Sequence, residues 1–344
     1  MEFAGNCAVL AYRLAAWLKV TGEDAGSYLQ GQFSQDLRGL AVGASTYGLL
    51  LNHKGRIQAD GFIVKAADAF WIASYECNGD RLRERLESFI VADDVIVEDQ
   101  TGSWSGLAIL ELPHELPPSG PTSSDGLGSG SLQGFRANPN ASQSDLSLAD
   151  RAAAQKKNLF WFRGRRGLGN SWEYIFPQAM PEVERDLPQV LSEVEGRARL
   201  TGARADPPEF WERARITACI PSVPRDAGPG DLPQEVGLVA PAVSFTKGCY
   251  LGQEIMARLK TRGRIRRQLR QVRFQEAVGP SAPGGRAPPL FAGARLVGEL
   301  RSWTTDGHSQ AGFIGVAMTP ADAPLGSKYS FSPDAEPLIE LTAL

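Results

Sequence analysis

The residues best equipped for chemistry gather in one octapeptide, Lys247-Gly248-Cys249-Tyr250-Leu251-Gly252-Gln253-Glu254. It sets a thiol between two glycines, beside a lysine and an aromatic ring. From Arg258 to Arg273 the chain then carries eight basic residues and no acid. Cations near a cysteine favour its thiolate, the form that attacks disulfides and electrophiles or binds metal. Lys247 and Arg258 are placed to act this way on Cys249, and a helix starting close by would add its free N–H groups. The alternative is that Cys249 is a buried small hydrophobe. Tyr250 is either a stacking surface for a planar ligand or a core aromatic. Gln253 and Glu254 either orient neighbouring groups or, in the case of Glu254, serve a helix terminus or a salt bridge.

The formal net charge is −3, whereas residues 258–273 alone contribute +8 and leave the rest of the chain at −11. Such asymmetry marks a binding face for an acidic ligand or nucleic acid, or else a solvated strand or helix edge. The run holds no aromatic residue, and modules for single-stranded RNA interleave aromatics with cations. An RNA contact through 258–273 is therefore the weaker reading. Cys7, Cys77, Cys219 and Cys249, like His53, His114 and His308, are scattered. None shows the close spacing of a zinc site, so free thiols and no preassembled metal are expected.

Several elements must position these groups. Thr21 or Glu23 opens a short helix with Ala25, Tyr28 and Leu29 on one face, closed by Gly31. Tyr47–Leu51 and Ile57–Val64 read as strands around the turn Asn52-His53-Lys54-Gly55, followed by a strand at Phe70–Tyr75 and a helix at Arg81–Phe89. Residues 113–149, rich in Pro, Ser, Gly and Asn, read as a loop or insert. Strands follow at Gln155–Phe162 and Trp172–Pro177. Helices follow at Pro181–Ala198 and, after a double proline, at Pro208–Ala218. Gly293–Ser302, Ala311–Met318 and Lys328–Phe331 are short strands of a small β-barrel or sandwich.

The 344 residues, 42% hydrophobic and 22% charged, are ordinary for a soluble globular chain of two or three domains. No apolar run reaches the ~20 residues of a membrane span, and the first residues lack the flanks of a secretory signal. A cytoplasmic protein without membrane contact is expected. The divisions are 1–112, an α+β lobe; 113–149, the insert; 150–264, a second α+β lobe bearing the octapeptide and partly interleaved with the first; and 265–344, the barrel.

The octapeptide resembles the Lys-Gly-Cys-Tyr-x-Gly-Gln-Glu signature of the YgfZ family, folate-binding proteins of iron–sulfur cluster maturation related to the aminomethyltransferase of the glycine cleavage system. Val20-Thr21-Gly22-Glu23-Asp24-Ala25 with Tyr28 to Leu37 is similar to the family's N-terminal motif, and Lys54-Gly55-Arg56 to its hairpin. Arg215-Ile216-Thr217-Ala218-Cys219-Ile220-Pro221 is similar to its "Arg-Ile-Glu-Ala-Gly-Ile-Pro" segment, departing at Thr217 and Cys219.

The resemblance implies an α+β fold of three lobes in a ring, with tetrahydrofolate or a one-carbon derivative as cofactor. The partners it implies are iron–sulfur enzymes or assembly proteins, including enzymes that modify tRNA. A reduced folate needs a carboxylate for its pterin edge, a ring for its aromatic middle and cations for its tail. Asp60 is the candidate carboxylate and acid/base group, with an exposed strand-end aspartate as the alternative. Arg215 is the candidate for the tail, unless it pairs locally. Lys247, Tyr250, Gln253, Glu254, Arg258 and Arg262 are carried over with Cys249 as site residues. Gly164-Arg165-Arg166-Gly167 begins a partial match to an aminomethyltransferase segment whose pterin-binding acid is out of register here, with Glu173 displaced nearby. A folate-dependent aminomethyl or one-carbon transferase is the alternative function.

Overall fold

The computed structural model describes residues 7–111, 158–177, 204–205, 207–275, 287–307 and 312–342. Three sheets make up the fold. The first holds β2 (Ala16–Thr21), β3 (Ser45–Leu51), β4 (Ile57–Lys65), β5 (Phe70–Ser74) and β6 (Ile96–Asp99), in the order β3-β4-β5-β2-β6. Every residue of β3 is buried, and β4 pairs with it so that Asp60 faces Leu49 in the middle of the sheet. Their turn is fixed by Asn52, whose side-chain oxygen accepts from the N–H groups of Lys54 (2.9 Å) and Arg56 (3.0 Å). Gly55 supplies the left-handed residue at φ +69° that the turn requires.

Helix α1 (Ala25–Gln32) buries Ala25, Tyr28 and Leu29, the face its spacing predicts. It ends at extended Phe33 rather than at a glycine cap, two residues past Gly31. Helix α2 (Gly79–Glu87) starts where the Asn78 side chain accepts from the Arg81 N–H, a standard N-cap.

The second sheet is β10-β1-β7-β9-β8, from β1 (Cys7–Arg13), β7 (Ser105–Glu111), β8 (Phe160–Arg163), β9 (Ser171–Phe176) and β10 (Arg204–Ala205). The strands that bracket the first sheet in sequence, β1 and β7, thus belong to the second. An aromatic cluster joins the two sheets: Trp17 lies 4.9 Å from Trp71 and 5.2 Å from Phe160, and Phe62 lies 5.1 Å from Phe162. Large rings packed at these separations supply area burial plus favourable edge and stacked geometry.

The third sheet, β12-β13-β14-β11-β16-β15, consists of β11 (Arg267–Phe274), β12 (Pro289–Ala292), β13 (Arg295–Thr305), β14 (Phe313–Pro320), β15 (Lys328–Tyr329) and β16 (Ile339–Leu341). Phe291 and Ser330 exchange backbone hydrogen bonds of 2.9 and 3.0 Å, which draws its two edges together into a nearly closed barrel. Residues 267–273, the second half of the basic run, are therefore a barrel strand.

Helix α3 (Pro208–Thr217) begins with Pro208 in its first turn, as the double proline predicts. Its end is a Schellman turn: the Ile220 N–H donates to the Arg215 carbonyl and the Cys219 N–H to that of Ile216. This turn needs a left-handed residue, normally glycine, yet Cys219 occupies it at φ +47°. Helices α4 (Val239–Ala242) and α5 (Gln253–Arg262) complete the described elements. The helix expected at 181–198 and the insert at 113–149 lie outside the described residues. Of the described helices, none is long and apolar enough to cross a membrane.

Candidate functional site

A cavity of about 160 Å³ opens between the first two sheets and α3, walled in part by Tyr47, Asp60, Tyr75, Arg165, Trp211 and Ser222. An apolar cavity of ~150 Å³ takes up benzene, so this one admits a ring system but not a long tail. Asp60 is 6% exposed, which settles its environment as interior rather than strand-end. Its carboxylate accepts from the Tyr47 hydroxyl (2.7 Å), the Ser74 hydroxyl (2.9 Å) and the Cys77 thiol (3.4 Å). Burial raises its pKa, against the lowering effect of these donors and of the Arg165 charge. Of the other lining residues, Arg165 Nε, Trp211 Nε1 and Ser222 Oγ are buried with no hydrogen-bond partner among the described residues, and the Arg165 guanidinium lies 4.5 Å from the Tyr47 ring centroid. Buried donors without acceptors are costly, and three of the residues that line this cavity carry one.

The residues behind this wall explain its geometry. Glu173 on β9 is fully buried and accepts from Tyr12 (2.7 Å), Tyr75 (2.7 Å) and Arg166 (2.8 and 3.2 Å). Arg166 is sandwiched 4.2 Å from the Tyr12 ring and 4.0 Å from that of Tyr75. Burial, with the Glu173 charge adding to it, pushes both phenols well above their ordinary range. The same Tyr75 hydroxyl accepts the Arg165 N–H at 3.0 Å, so the network fixes the backbone of Arg165. A Cβ on Gly164 would collide with Glu173 Oε1, which accounts for a glycine there. Arg215 also reaches the cavity, but it pairs with Glu212 (2.6 Å) and Asp226 (2.5 Å) and donates to the Ile220 carbonyl (2.6 Å). It closes the Schellman turn, and the pairing expected as its alternative role is the one observed.

No residue of the octapeptide lines this cavity. The segment docks instead on the β3–β4 hairpin. Gly252, at φ +85°, forms the N-cap of α5, and a Cβ there would come within 2.6 Å of the Asn52 carbonyl oxygen. Lys247 differs from the expectation of a cation beside the thiol. Its ammonium is buried and donates to the carbonyls of Gln30 (2.6 Å), Phe33 (2.6 Å) and Gln35 (2.9 Å), pinning the octapeptide to the end of α1. Burial pushes Lys247 down to about 8, with Asp36 opposing and Arg38 adding to the shift.

Tyr250 is a core aromatic whose hydroxyl is buried without a partner among the described residues, and burial raises it to about 12. Cys249 is exposed, so it is not the buried hydrophobe that its residue type favours, and α5 begins only at Gln253. Glu254 and Arg258 form a surface pair at 2.9 Å, which satisfies the helix-terminus alternative for Glu254. Gln253 is partly buried in the first turn of α5, and the Arg262 side chain lies outside the described residues.

The basic run is divided by the fold. Arg267 binds Asp231 (3.0 Å) and Glu235 (3.1 Å), and Arg270 donates to the carbonyls of Ala321 and Ala323. The structure thus brings Asp60 together with Tyr47, Arg165, Trp211 and Ser222, and sets Cys249 apart. Of the cavity residues that sequence reasoning left unassigned, Arg165 carried a signal, the partial Gly-Arg-Arg-Gly match. Trp211 and Ser222 carried none.

Comparison with known proteins agrees with this geometry. Residues 6–111 match the GCVT N-terminal domain. The fold is similar to that of glycine cleavage system aminomethyltransferase T from Bartonella henselae, with a TM-score of 0.68 over 99% of this chain and 86% of that one, at 16% identity. The tRNA-modifying protein YgfZ of Edwardsiella ictaluri is 29% identical over 261 residues, 75% of this chain and 69% of the relative. The chain is thus similar to members of the YgfZ family over three quarters of its length. A second relative, the mitochondrial iron–sulfur cluster assembly factor IBA57 of Homo sapiens, is 36% identical over 124 residues, 36% of this chain and 35% of the relative. The chain shares the fold of the aminomethyltransferase, while its Glu173 is held by Arg166 outside the cavity lining.

Proposed function

We propose that this protein is a member of the YgfZ family that binds a reduced folate and supports iron–sulfur cluster assembly or repair in client enzymes, with Cys249 as its functional thiol. The observation that carries the folate reading is the cavity itself. It holds a buried carboxylate at Asp60, a ring at Tyr47 and unpartnered donors on Arg165, Trp211 and Ser222. Asp60 would take the donor edge of a pterin, and Arg165, Trp211 and Ser222 its acceptors. A reduced folate, when bound, would supply one-carbon chemistry at its ring nitrogens. The folate tail must lie outside a cavity of this size. The printed names of the relatives, a tRNA-modifying protein and an iron–sulfur cluster assembly factor, support the client class. An exposed thiol on a segment clamped at Lys247 and Gly252 suits chemistry with a second protein.

Titration with tetrahydrofolate, followed through Trp211 fluorescence, tests the site. Asp60→Asn and Arg165→Met are each expected to weaken binding by about 1–3 kcal/mol, the worth of a hydrogen bond to a charged group. Unchanged affinity in both variants removes the cavity from the reading. Cys249→Ser is expected to keep folate affinity and to fail in restoring iron–sulfur enzyme activity to cells lacking the native protein. Full restoration would reduce Cys249 to a structural residue. Formation of methylene-tetrahydrofolate from an aminomethyl-loaded carrier would favour the transferase instead.

A further inference from the structure

Several of the cations that the fold leaves free gather around one helix and the adjoining hairpin. Helix α5 departs from the β3–β4 hairpin at Gly252, against Asn52 and Gly55, and a Cβ on Gly55 would touch Ile255 at 3.1 Å. The chain returns to the same hairpin at Arg267, which shares the Gly230 carbonyl with Arg56 (2.7 and 2.6 Å). Residues 252–267 therefore form a compact excursion pinned at both ends, about 15 Å long along the helix. Its exposed side carries Arg258, Lys260, Arg264 and Arg266, with Lys54 at the adjoining hairpin tip and Cys249 just before the helix. The acid on this side, Glu254, is already paired with Arg258. Lys54, Arg264 and Arg266 have no acidic partner among the described residues. A face with five cations on a chain otherwise at −8 orients approaching partners by sign.

We infer that this face docks an acidic protein surface, which then covers Cys249. Two observations favour protein over nucleic acid. Tyr250 is buried and the Phe245 ring is covered by Lys260 at 4.2 Å, which leaves the His53 imidazole at the hairpin tip as the exposed ring for base stacking among the described residues of the face. A nucleic-acid site typically neutralises ~6–10 phosphates, more than the cations left here once Arg267 and Arg270 are withdrawn into internal contacts. The inference does not depend on the folate reading, because the face and the cavity share no residue.

The test uses a fluorescein-labelled oligoglutamate peptide on the full chain, with an oligouridylate of equal formal charge as competitor. The expected result is saturable peptide binding that weakens at high salt. Lys54→Gln, Arg264→Gln and Arg266→Gln together should reduce it about tenfold, ~1.4 kcal/mol, with an unchanged melting temperature. Bound peptide should also slow alkylation of Cys249 by iodoacetamide, and saturating tetrahydrofolate should leave peptide affinity unchanged. The inference is overturned by tighter binding of the oligouridylate, by peptide binding that survives the triple substitution, or by Cys249 alkylation that the peptide does not affect. Competition between peptide and tetrahydrofolate would overturn it as well, by placing the peptide in the cavity.

Discussion

Glu173→Gln removes one charge from the centre of the network behind the cavity, and its cost follows from what is left there. Four hydrogen bonds converge on Glu173, two from phenols and two from the Arg166 guanidinium, at a residue with no exposure. Glutamine keeps the shape and one acceptor but leaves Arg166 as an uncompensated cation between two rings. Removing one partner of a buried pair costs about 3–5 kcal/mol. The two cation–π contacts persist and retain roughly 0.5–2 kcal/mol of attraction each, so the lower end, about 3 kcal/mol, is expected. Urea unfolding reads this as a lower midpoint at unchanged slope, within the ~5–15 kcal/mol stability of a typical protein. Combining Arg166→Met with Glu173→Gln removes the stranded charge, and the double variant should be more stable than Glu173→Gln alone. A single-variant loss below about 1 kcal/mol, or a double variant less stable than the single, would refute the buried-pair account.

Three further outcomes follow from other positions. Cys219→Gly relieves the left-handed strain at φ +47° and should stabilise the fold by up to about 1 kcal/mol; a lower melting temperature would contradict this. Lys247 is depressed from 10.5 to about 8 in the fold, so between those values the unfolded chain binds more protons and stability rises with pH through that window. Stability curves of wild type and Lys247→Met should therefore converge as pH falls and diverge above 8 in the wild type's favour, and parallel curves would remove Lys247 from the effect. Gly252→Ala places a Cβ 2.6 Å from the Asn52 carbonyl oxygen at a positive φ and should cost roughly 1–3 kcal/mol. Hydrogen exchange should then quicken in α5, and unchanged exchange there would count against the docking of the octapeptide on the hairpin.

Local signals carried much of the fold. The Asn52–Gly55 turn, the buried face of α1 and the proline start of α3 are each written within a few residues, and the structure places them where that chemistry predicts. Strand β1 escaped because Ala8, Val9 and Leu10 form a continuous apolar run rather than the alternation that marks a half-exposed strand. At the site, Asp60 was legible as a carboxylate but not as a buried one, because its donors come from residues 47, 74 and 77. Lys247, Arg215 and Arg270 show a different limit. Each donates to backbone carbonyls, and a carbonyl has no side-chain identity by which a sequence could announce it. Only the folded chain separates these internal cations from the free ones at Lys54, Arg264 and Arg266.

The placement of β1 and β7 in the second sheet bears on how the chain is made. When the ribosome has released residues up to Glu111, these two strands can pair with each other, yet β7 must wait for β9 and β1 for β10. From Glu111 to Ser171, synthesis at roughly 5–20 residues per second takes about 3–12 s. During that interval a nascent ribbon with apolar strands and two open edges is held next to a first sheet whose strands are already all synthesised. Open edges of this kind recruit other chains. The segment 6–111 is thus a unit of sequence likeness but not of folding, and a fragment cut after Glu111 should aggregate where the full chain does not.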